Sequence, residues 1–198
     1  MAGRPRVGIL SLQGDVREHA RVLSELGAEV DLVRRPEELA AVDGLVLPGG
    51  ESTTIDKLSR AFGMQEPIRR AIAGGMPVFG TCAGLILLAD RLEDGIAGQQ
   101  TFGGLDVTVK RNAFGGQVES FETELVVDGF SGPSVHAAFI RAPLVTDVGP
   151  AARALASLAG GGVVAVEQGA LLGIAFHPEV SGETRFHRRF LDHVASHA

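Results

Sequence analysis

The chain has 198 residues and a formal net charge of −6, with acidic and basic residues interspersed. This length predicts one domain, over residues 1–198, with a substantial core. A nucleic-acid partner is not expected, because no basic stripe is present and the chain lacks Trp and Tyr. Cys82 is the one cysteine, so no intramolecular disulfide can form, and the apolar run 83–89 is too short to span a membrane. We therefore expect a cytoplasmic protein without a membrane partner.

The first half of the chain alternates short apolar runs with amphipathic segments. Strands are predicted at 7–12, 30–33, 44–47 and 77–79, and helices at 16–26, 52–62, 64–73 and 85–89. Near-continuous apolar strands separated by helices are typical of a parallel sheet that is covered on both faces.

The second half changes character and favours β-structure. Strands are predicted at 101–110, 120–127, 137–141 and 151–157, a hairpin at 163–167 and 171–176, and a last helix at 183–195. The predicted fold is a doubly wound, three-layer α/β domain with a mostly parallel central sheet and an antiparallel extension. Ligands bind such sheets at the carboxyl ends of the strands. The loops 13–15, 48–51 and 80–82 each follow a parallel strand, so we expect them to converge on one rim.

The segment 80–84, Gly-Thr-Cys-Ala-Gly, has the pattern of a nucleophile elbow with cysteine in place of serine. Its glycines permit a tight turn between strand and helix, and Cys82 is placed at the tip. The dipole at a helix N-terminus favours thiolate over thiol. Taken alone, the segment is as consistent with a small buried cysteine as with a nucleophile.

The tripeptide His177-Pro178-Glu179 favours the catalytic interpretation. Pro178 disfavours helical geometry at His177, so we expect an extended segment in which Glu179 reaches the ring of His177. A histidine oriented by a carboxylate is the general-base half of a catalytic triad. The alternative is a chance surface tripeptide.

The segment 48–52, Pro-Gly-Gly-Glu-Ser, supplies a third part. Attack on an amide creates an oxyanion, and the backbone N–H groups of Gly50 and Ala83 are the predicted donors to it. A strand-to-helix turn with Ser52 as the N-cap is equally compatible. No Gly-Lys-Ser/Thr follows, which argues against a phosphate-binding loop.

The remaining histidines suggest no site. His193 and His197 have the helical spacing of a metal-binding pair, but they lie near the chain end, and we expect no metal and no cofactor. His19, His136 and His187 are predicted to be surface or interface residues.

Several runs together resemble one family closely: the glutaminase subunit of pyridoxal 5′-phosphate synthase, among the class I glutamine amidotransferases. The runs that carry the resemblance are 11–15, 48–54, 80–84, 110–115, 139–143 and 177–179. The elbow and His-Pro-Glu indicate only a class I glutaminase, and the other runs are more specific. Gly116 departs from the family, which often has arginine there, and this could alter partner contact or loop order.

The resemblance implies a catalytic triad of Cys82, His177 and Glu179, acting on L-glutamine and passing ammonia to a synthase subunit. By charge alone, Arg111 and Arg141 are as often surface charges as carboxylate clamps. The resemblance implies that glutamine is contacted by Gly50, Glu51, Ser52, Arg111, Ile140 and Arg141. It also suggests that a partner activates the enzyme, and Gln13 lies in the loop that we expect to transmit this.

Other functions remain open at this point. The chain could be the glutaminase of another amidotransferase, such as the one that feeds imidazole glycerol phosphate formation, or a regulatory partner without catalysis. A cysteine peptidase or chaperone-like relative is a third possibility. Such proteins more often take their histidine from near the elbow than from a His-Pro-Glu segment.

Overall fold

A computed structural model describes residues 4–113 and 120–197. Phe114, Gly115 and Gly116, which include part of the 110–115 run and the departure from the family, lie outside the described residues. Within the described part of the chain, every helix is too short or too polar to traverse a bilayer.

In the described residues, a ten-stranded mixed sheet forms the centre of the molecule. Its strands are β1 (Arg6–Leu10), β2 (Glu29–Val33), β3 (Gly44–Leu47), β4 (Val78–Thr81), β5 (Ala89–Glu93), β6 (Leu105–Lys110), β9 (Leu144–Val148), β10 (Arg153–Ser157), β11 (Val163–Gln168) and β12 (Leu171–Ile174). Their order is β2-β1-β3-β4-β12-β11-β9-β6-β5, with β10 paired to β11. A separate antiparallel pair consists of β7 (Ser120–Leu125) and β8 (Val135–Ile140).

The helices are α1 (Val16–Glu25), α2 (Pro36–Leu39), α3 (Ser52–Ala61), α4 (Gln65–Ala73), α5 (Ala83–Leu88), α6 (Pro178–Ser181) and α7 (Arg185–His197). All residues of α5 are buried, and this helix packs on β3, β4, β6 and β12. Because α5 follows β4 directly, the junction at Cys82 is anchored in the middle of the sheet.

The parallel part of the sheet agrees with the sequence-based prediction. Strands β2, β1, β3, β4 and β12 pair in parallel, and β3 and β4 are buried at every position. The hairpin of β11 and β12 is also confirmed, with Ala165 opposite Ile174.

The other half of the sheet departs from the prediction in detail. Strands β5 and β9 were not predicted, and the predicted strand at 101–110 begins only at Leu105. Strand β5 follows α5 without a loop, so the apolar run 85–89 gave no sign that the chain changes from helix to strand at Ala89. The short α2 was missed as well, although Pro36 stands at its first position, where proline is favoured.

Candidate active site

Cys82 occupies a strained turn between β4 and α5. Its backbone has φ 49° and ψ −101°, a conformation that residues other than glycine rarely adopt. The Cys82 N–H donates to the carbonyl of Ile174 on β12 at 2.8 Å, which fixes the turn to the sheet. The elbow predicted from the sequence is therefore present, and such strain is typical of functional sites.

Close packing under the elbow explains one of its glycines. A Cβ atom on Gly84 would overlap the carbonyl oxygen of Leu47 on β3, so a larger residue would push α5 away from the sheet. Since α5 begins at Ala83, that displacement would move Cys82 as well.

His177 follows β12 and lies beside Glu179, but not in the way that the sequence suggested. Nδ1 of His177 donates to Oε1 of Glu179 at 2.8 Å. The predicted extended tripeptide is wrong: helix α6 begins at Pro178, and Glu179 lies in its first turn. Pro178 restricts only the residue before it, and proline at the first helical position costs no hydrogen bond.

A second carboxylate reaches the same ring nitrogen. Oδ2 of Asp15 lies 3.4 Å from Nδ1 of His177. Burial disfavours a charged His177, but hydrogen bonds with Asp15, Cys82 and Glu179 outweigh it and raise the pKa of His177 well above its ordinary value. Sequence reasoning did not select Asp15, although it stands in the Ser-Leu-Gln-Gly-Asp run of the family.

The predicted convergence of the three loops is confirmed. Oε1 of Gln13 accepts from the N–H of Glu51 at 2.8 Å, and the N–H of Asp15 donates to the carbonyl of Gly49 at 3.0 Å. A Cβ on Gly49 would lie 2.5 Å from Cε1 of His177, so this loop needs glycine beside the imidazole.

These residues line one cavity of about 400 Å³. Of the residues selected from the sequence, all except Glu179 line it. The full lining is Gln13, Asp15, Gly50, Glu51, Ser52, Cys82, Ala83, Ile86, Arg111, Asn112, Ile140, Arg141, His177 and Val180. Glu179 is buried behind His177.

Polar contacts organise the wall of the cavity that carries Arg111. Arg111 donates to Oε1 of Glu51 at 3.0 Å and to Oε1 of Gln99 at 2.9 Å. Gln99 in turn donates to Oγ of Ser52 at 3.0 Å. The N-cap of α3 is Glu51, which accepts from the N–H of Thr54, and not Ser52 as one interpretation had it.

Backbone strain recurs on this wall. Asn112 and Arg141 have φ values of 48° and 44°, so with Cys82 three non-glycine residues that line the cavity adopt a left-handed conformation. In the described chain only Asp94 shares this feature away from the cavity. Ile140 and Arg141 are exposed at the rim.

Two histidines predicted to be surface or interface residues are fully buried in this chain. His19 on α1 and His187 on α7 are both 0% exposed, and Nδ1 of His19 lies 2.9 Å from Nε2 of His187. Their helical periodicity places both on core-facing positions, which was a signal in the sequence. His136 is exposed as expected.

The structure gives no support to a metal pair at the C-terminus. Nε2 of His193 bonds with Glu167 at 2.9 Å, and Nδ1 of His197 donates to the carbonyl of His193. Among residues 4–113 and 120–197, one cluster has potential metal ligands within 4.8 Å of one another: Asp15, His177 and Glu179. The hydrogen bond from His177 to Glu179 accounts for that cluster as an oriented histidine.

Comparison with known proteins agrees with this geometry. The model of the SNO glutamine amidotransferase family matches residues 9–196. The chain is 64% identical over 190 residues to the pyridoxal 5′-phosphate synthase subunit PdxT of Clavibacter sepedonicus, covering 96% of this chain and 91% of that protein. It is 63% identical over 191 residues to the protein of the same name from Leifsonia xyli subsp. xyli (strain CTCB07), covering 96% of each.

A solved crystal structure of a glutamine amidotransferase is similar throughout, with a TM-score of 0.88 and 46% identity over 96% of this chain and 98% of that one. The α/β fold class predicted from the sequence is thereby confirmed. Both the motifs and the matched length lead to one conclusion: the chain belongs to the SNO glutamine amidotransferase family.

Proposed function

We propose that this chain is the glutaminase subunit of a pyridoxal 5′-phosphate synthase, one domain that hydrolyses L-glutamine to L-glutamate and ammonia in the cytoplasm. The observation that carries the proposal is the strained Cys82 elbow, which shares a cavity with a histidine held by a buried glutamate. The relatives are named as subunits of that synthase, which supports the pathway, and the glutamine amidotransferase family supports glutamine as the substrate.

The reaction begins with proton transfer from Cys82 to His177. Because Nδ1 of His177 is held by Glu179, Nε2 is the nitrogen left to take the proton. The raised pKa of His177 favours an imidazolium beside a thiolate. The sulfur attacks the side-chain carbonyl of glutamine, and Glu179 stabilises the imidazolium without itself taking the proton.

The tetrahedral oxyanion is stabilised by the N–H groups of Gly50 and Ala83 in this proposal. The proton on His177 then passes to the departing nitrogen, so that ammonia leaves and a glutamyl thioester remains. Water, deprotonated by the same imidazole, attacks the thioester; glutamate leaves and the thiol of Cys82 is restored.

The wall opposite Cys82 is proposed to bind the amino-acid end of glutamine. Arg111 and Arg141 offer positive charge for its carboxylate, and Glu51 offers negative charge for its ammonium group. Hydrogen bonds from the Thr54 and Thr53 positions outweigh partial burial and lower the pKa of Glu51, so it is anionic at neutral pH. The hydroxyl of Ser52 is engaged by Gln99, and Ile140 would contribute apolar contact at the rim.

Control by the synthase subunit is proposed to act through Gln13. The carbonyl of Gly49 is held by the N–H of Asp15, and Gln13 holds the next peptide at Glu51. Docking on this rim could rotate the peptide between Gly49 and Gly50 and complete the oxyanion hole. The isolated chain is then expected to be poorly active.

The test is a glutaminase assay of the purified chain, alone and with the synthase subunit from the same organism. Ammonia and glutamate should appear in equal amounts, slowly without the partner and much faster with it. Absence of glutamine hydrolysis in the complex, or full activity of the chain by itself, would contradict the corresponding part of the proposal.

A further inference from the structure

A group of buried polar side chains lies directly behind the triad, and the proposed reaction does not use it. Nε2 of His19 lies 3.1 Å from Oγ1 of Thr81, the residue before Cys82, and 3.8 Å from Oε2 of Glu179. The other ring nitrogen of His19 contacts His187. Every one of these side chains is almost completely shielded from solvent.

Glu179 uses its two oxygens unequally. Oε1 accepts from His177, whereas Oε2 has no hydrogen-bond partner among the described residues. Leaving a buried carboxylate oxygen without a hydrogen bond costs free energy. Because only Oε1 is held, the carboxylate is free to turn unless another group restrains it. The ring of His19 faces this oxygen, with Nε2 at 3.8 Å from Oε2.

A neutral ring is suited to this position. Burial lowers the pKa of His19 well below its ordinary value, and repulsion from His187 and His177 lowers it further. A cation at His19 would compete with His177 for the charge of Glu179. A neutral imidazole that carries its proton on Nε2 directs that N–H toward Thr81 and Oε2, and it leaves the charge of Glu179 available to His177.

We infer that His19 is a positioning residue for the reaction. Its ring lies between Thr81, in the elbow, and Oε2 of Glu179, and it thereby keeps Cys82 and the carboxylate of Glu179 in fixed relative positions. The inference rests on the proposed glutaminase function. It gives α1 a task in catalysis, since His19 reaches both β4 and α6 from that helix.

The test compares three substitutions in the complex with the synthase subunit. His19→Leu fills the volume without a polar atom, His19→Gln restores a hydrogen-bonding group, and Val22→Ala is a packing control, since Val22 is buried on the same helix. His19→Leu should lower kcat by about 10- to 100-fold, the range found when groups that orient metal-binding side chains are removed, with little change in KM. His19→Gln should recover part of that loss, and Val22→Ala should reduce thermal stability but not kcat.

A double variant separates positioning from general damage. If His19 acts through Glu179, then His19→Leu should cost much less in a Glu179→Gln background than in the wild type. Equal losses in both backgrounds, or a loss of kcat in Val22→Ala as large as in His19→Leu, would overturn the inference.

A readout without glutamine keeps the two proposals apart. Iodoacetamide alkylates cysteine thiolates, and Cys82 is the single cysteine of this chain. The rate of alkylation therefore reports directly on the thiolate at Cys82. We expect slower alkylation in His19→Leu than in Val22→Ala and the wild type, and unchanged rates would overturn the inference. A wild type that alkylates rapidly but fails to hydrolyse glutamine would overturn the proposed function alone.

Discussion

The two walls of the cavity are built differently. The wall that carries Cys82 and His177 comes from the buried parallel strands β4 and β12, and backbone contacts hold it in place. The wall that carries Arg111 and Arg141 follows β6, which pairs antiparallel with β9, and β8, which belongs to the separate two-stranded sheet. Side-chain hydrogen bonds organise this wall.

This difference implies a division of tasks. On the nucleophile wall even a methyl group at Gly84 would meet backbone, so the distances among reacting atoms are fixed by the fold. On the opposite wall Arg111 is held by long side chains that can adjust to a ligand. Substitutions on the first wall should therefore change kcat, and those on the second should change KM.

Among the substitutions on the nucleophile wall, Cys82→Ala should cause the largest loss of activity. Loss of the sulfur removes the thioester pathway, so glutamine hydrolysis should fall on the order of 10⁴- to 10⁶-fold, as in triad knockouts. Alanine keeps the backbone and the Cβ atom at this position and removes only the sulfur, so thermal unfolding should be nearly unchanged. Near-normal turnover of glutamine in the variant would contradict the proposed mechanism.

The two proposed triad partners of Cys82 should rank in a definite order. His177→Asn removes the group that moves the proton, whereas Glu179→Gln removes only its orientation, and the second loss should be milder by roughly 10- to 100-fold. Asp15→Asn should cost least, because Asp15 lies farther from Nδ1 and is partly exposed. Steady-state kinetics of the three variants with the synthase present give the ranking; the reverse order for His177 and Glu179 would show that the assigned roles are wrong.

Gln13→Ala tests whether the contact between Gln13 and Glu51 transmits activation by the synthase subunit to the cavity. The substitution removes the acceptor for the N–H of Glu51, so activation by the synthase should weaken by up to about 10²-fold, within the cost of one lost oxyanion donor. Folding should change little. The comparison is the ratio of rates with and without the synthase, and an unchanged ratio would remove Gln13 from the account.

Arg111→Lys, on the opposite wall, should have the smallest effect, and the effect should be on KM for glutamine. Lysine cannot hold Glu51 and Gln99 with a planar fork, so KM for glutamine should rise about 10-fold while kcat stays within a few-fold. A large loss of kcat at constant KM would show that this wall takes part in the chemistry.

Local signals in the sequence were sufficient for the parallel strands and for the elbow. Apolar strands such as β3, with a glycine turn after them, restrict the chain to few arrangements, and the carboxyl ends of those strands necessarily meet. The contact between His177 and Glu179 was also predicted, but its geometry was not. The first turn of α6, instead of an extended chain, brings the two side chains together.

Tertiary context decided the rest. His19 and His187 lie far apart in sequence, and nothing local shows that α1 and α7 bring them into contact. Asp15 was missed because its position beside His177 depends on the Gly49 loop. Strands β5 and β9 depend on pairing with β6, which residue patterns alone do not specify.

The most direct test of the central claim uses a glutamine analogue with an electrophilic carbon in place of the amide. Because Cys82 is the only cysteine of this chain, mass spectrometry of this subunit, separated after treatment of the complex, can assign the adduct without ambiguity. We predict one adduct on the peptide that contains residues 80–84, protected by excess glutamine and lost in Cys82→Ala. Modification at another residue, or no modification with the synthase present, would contradict a thioester pathway at Cys82.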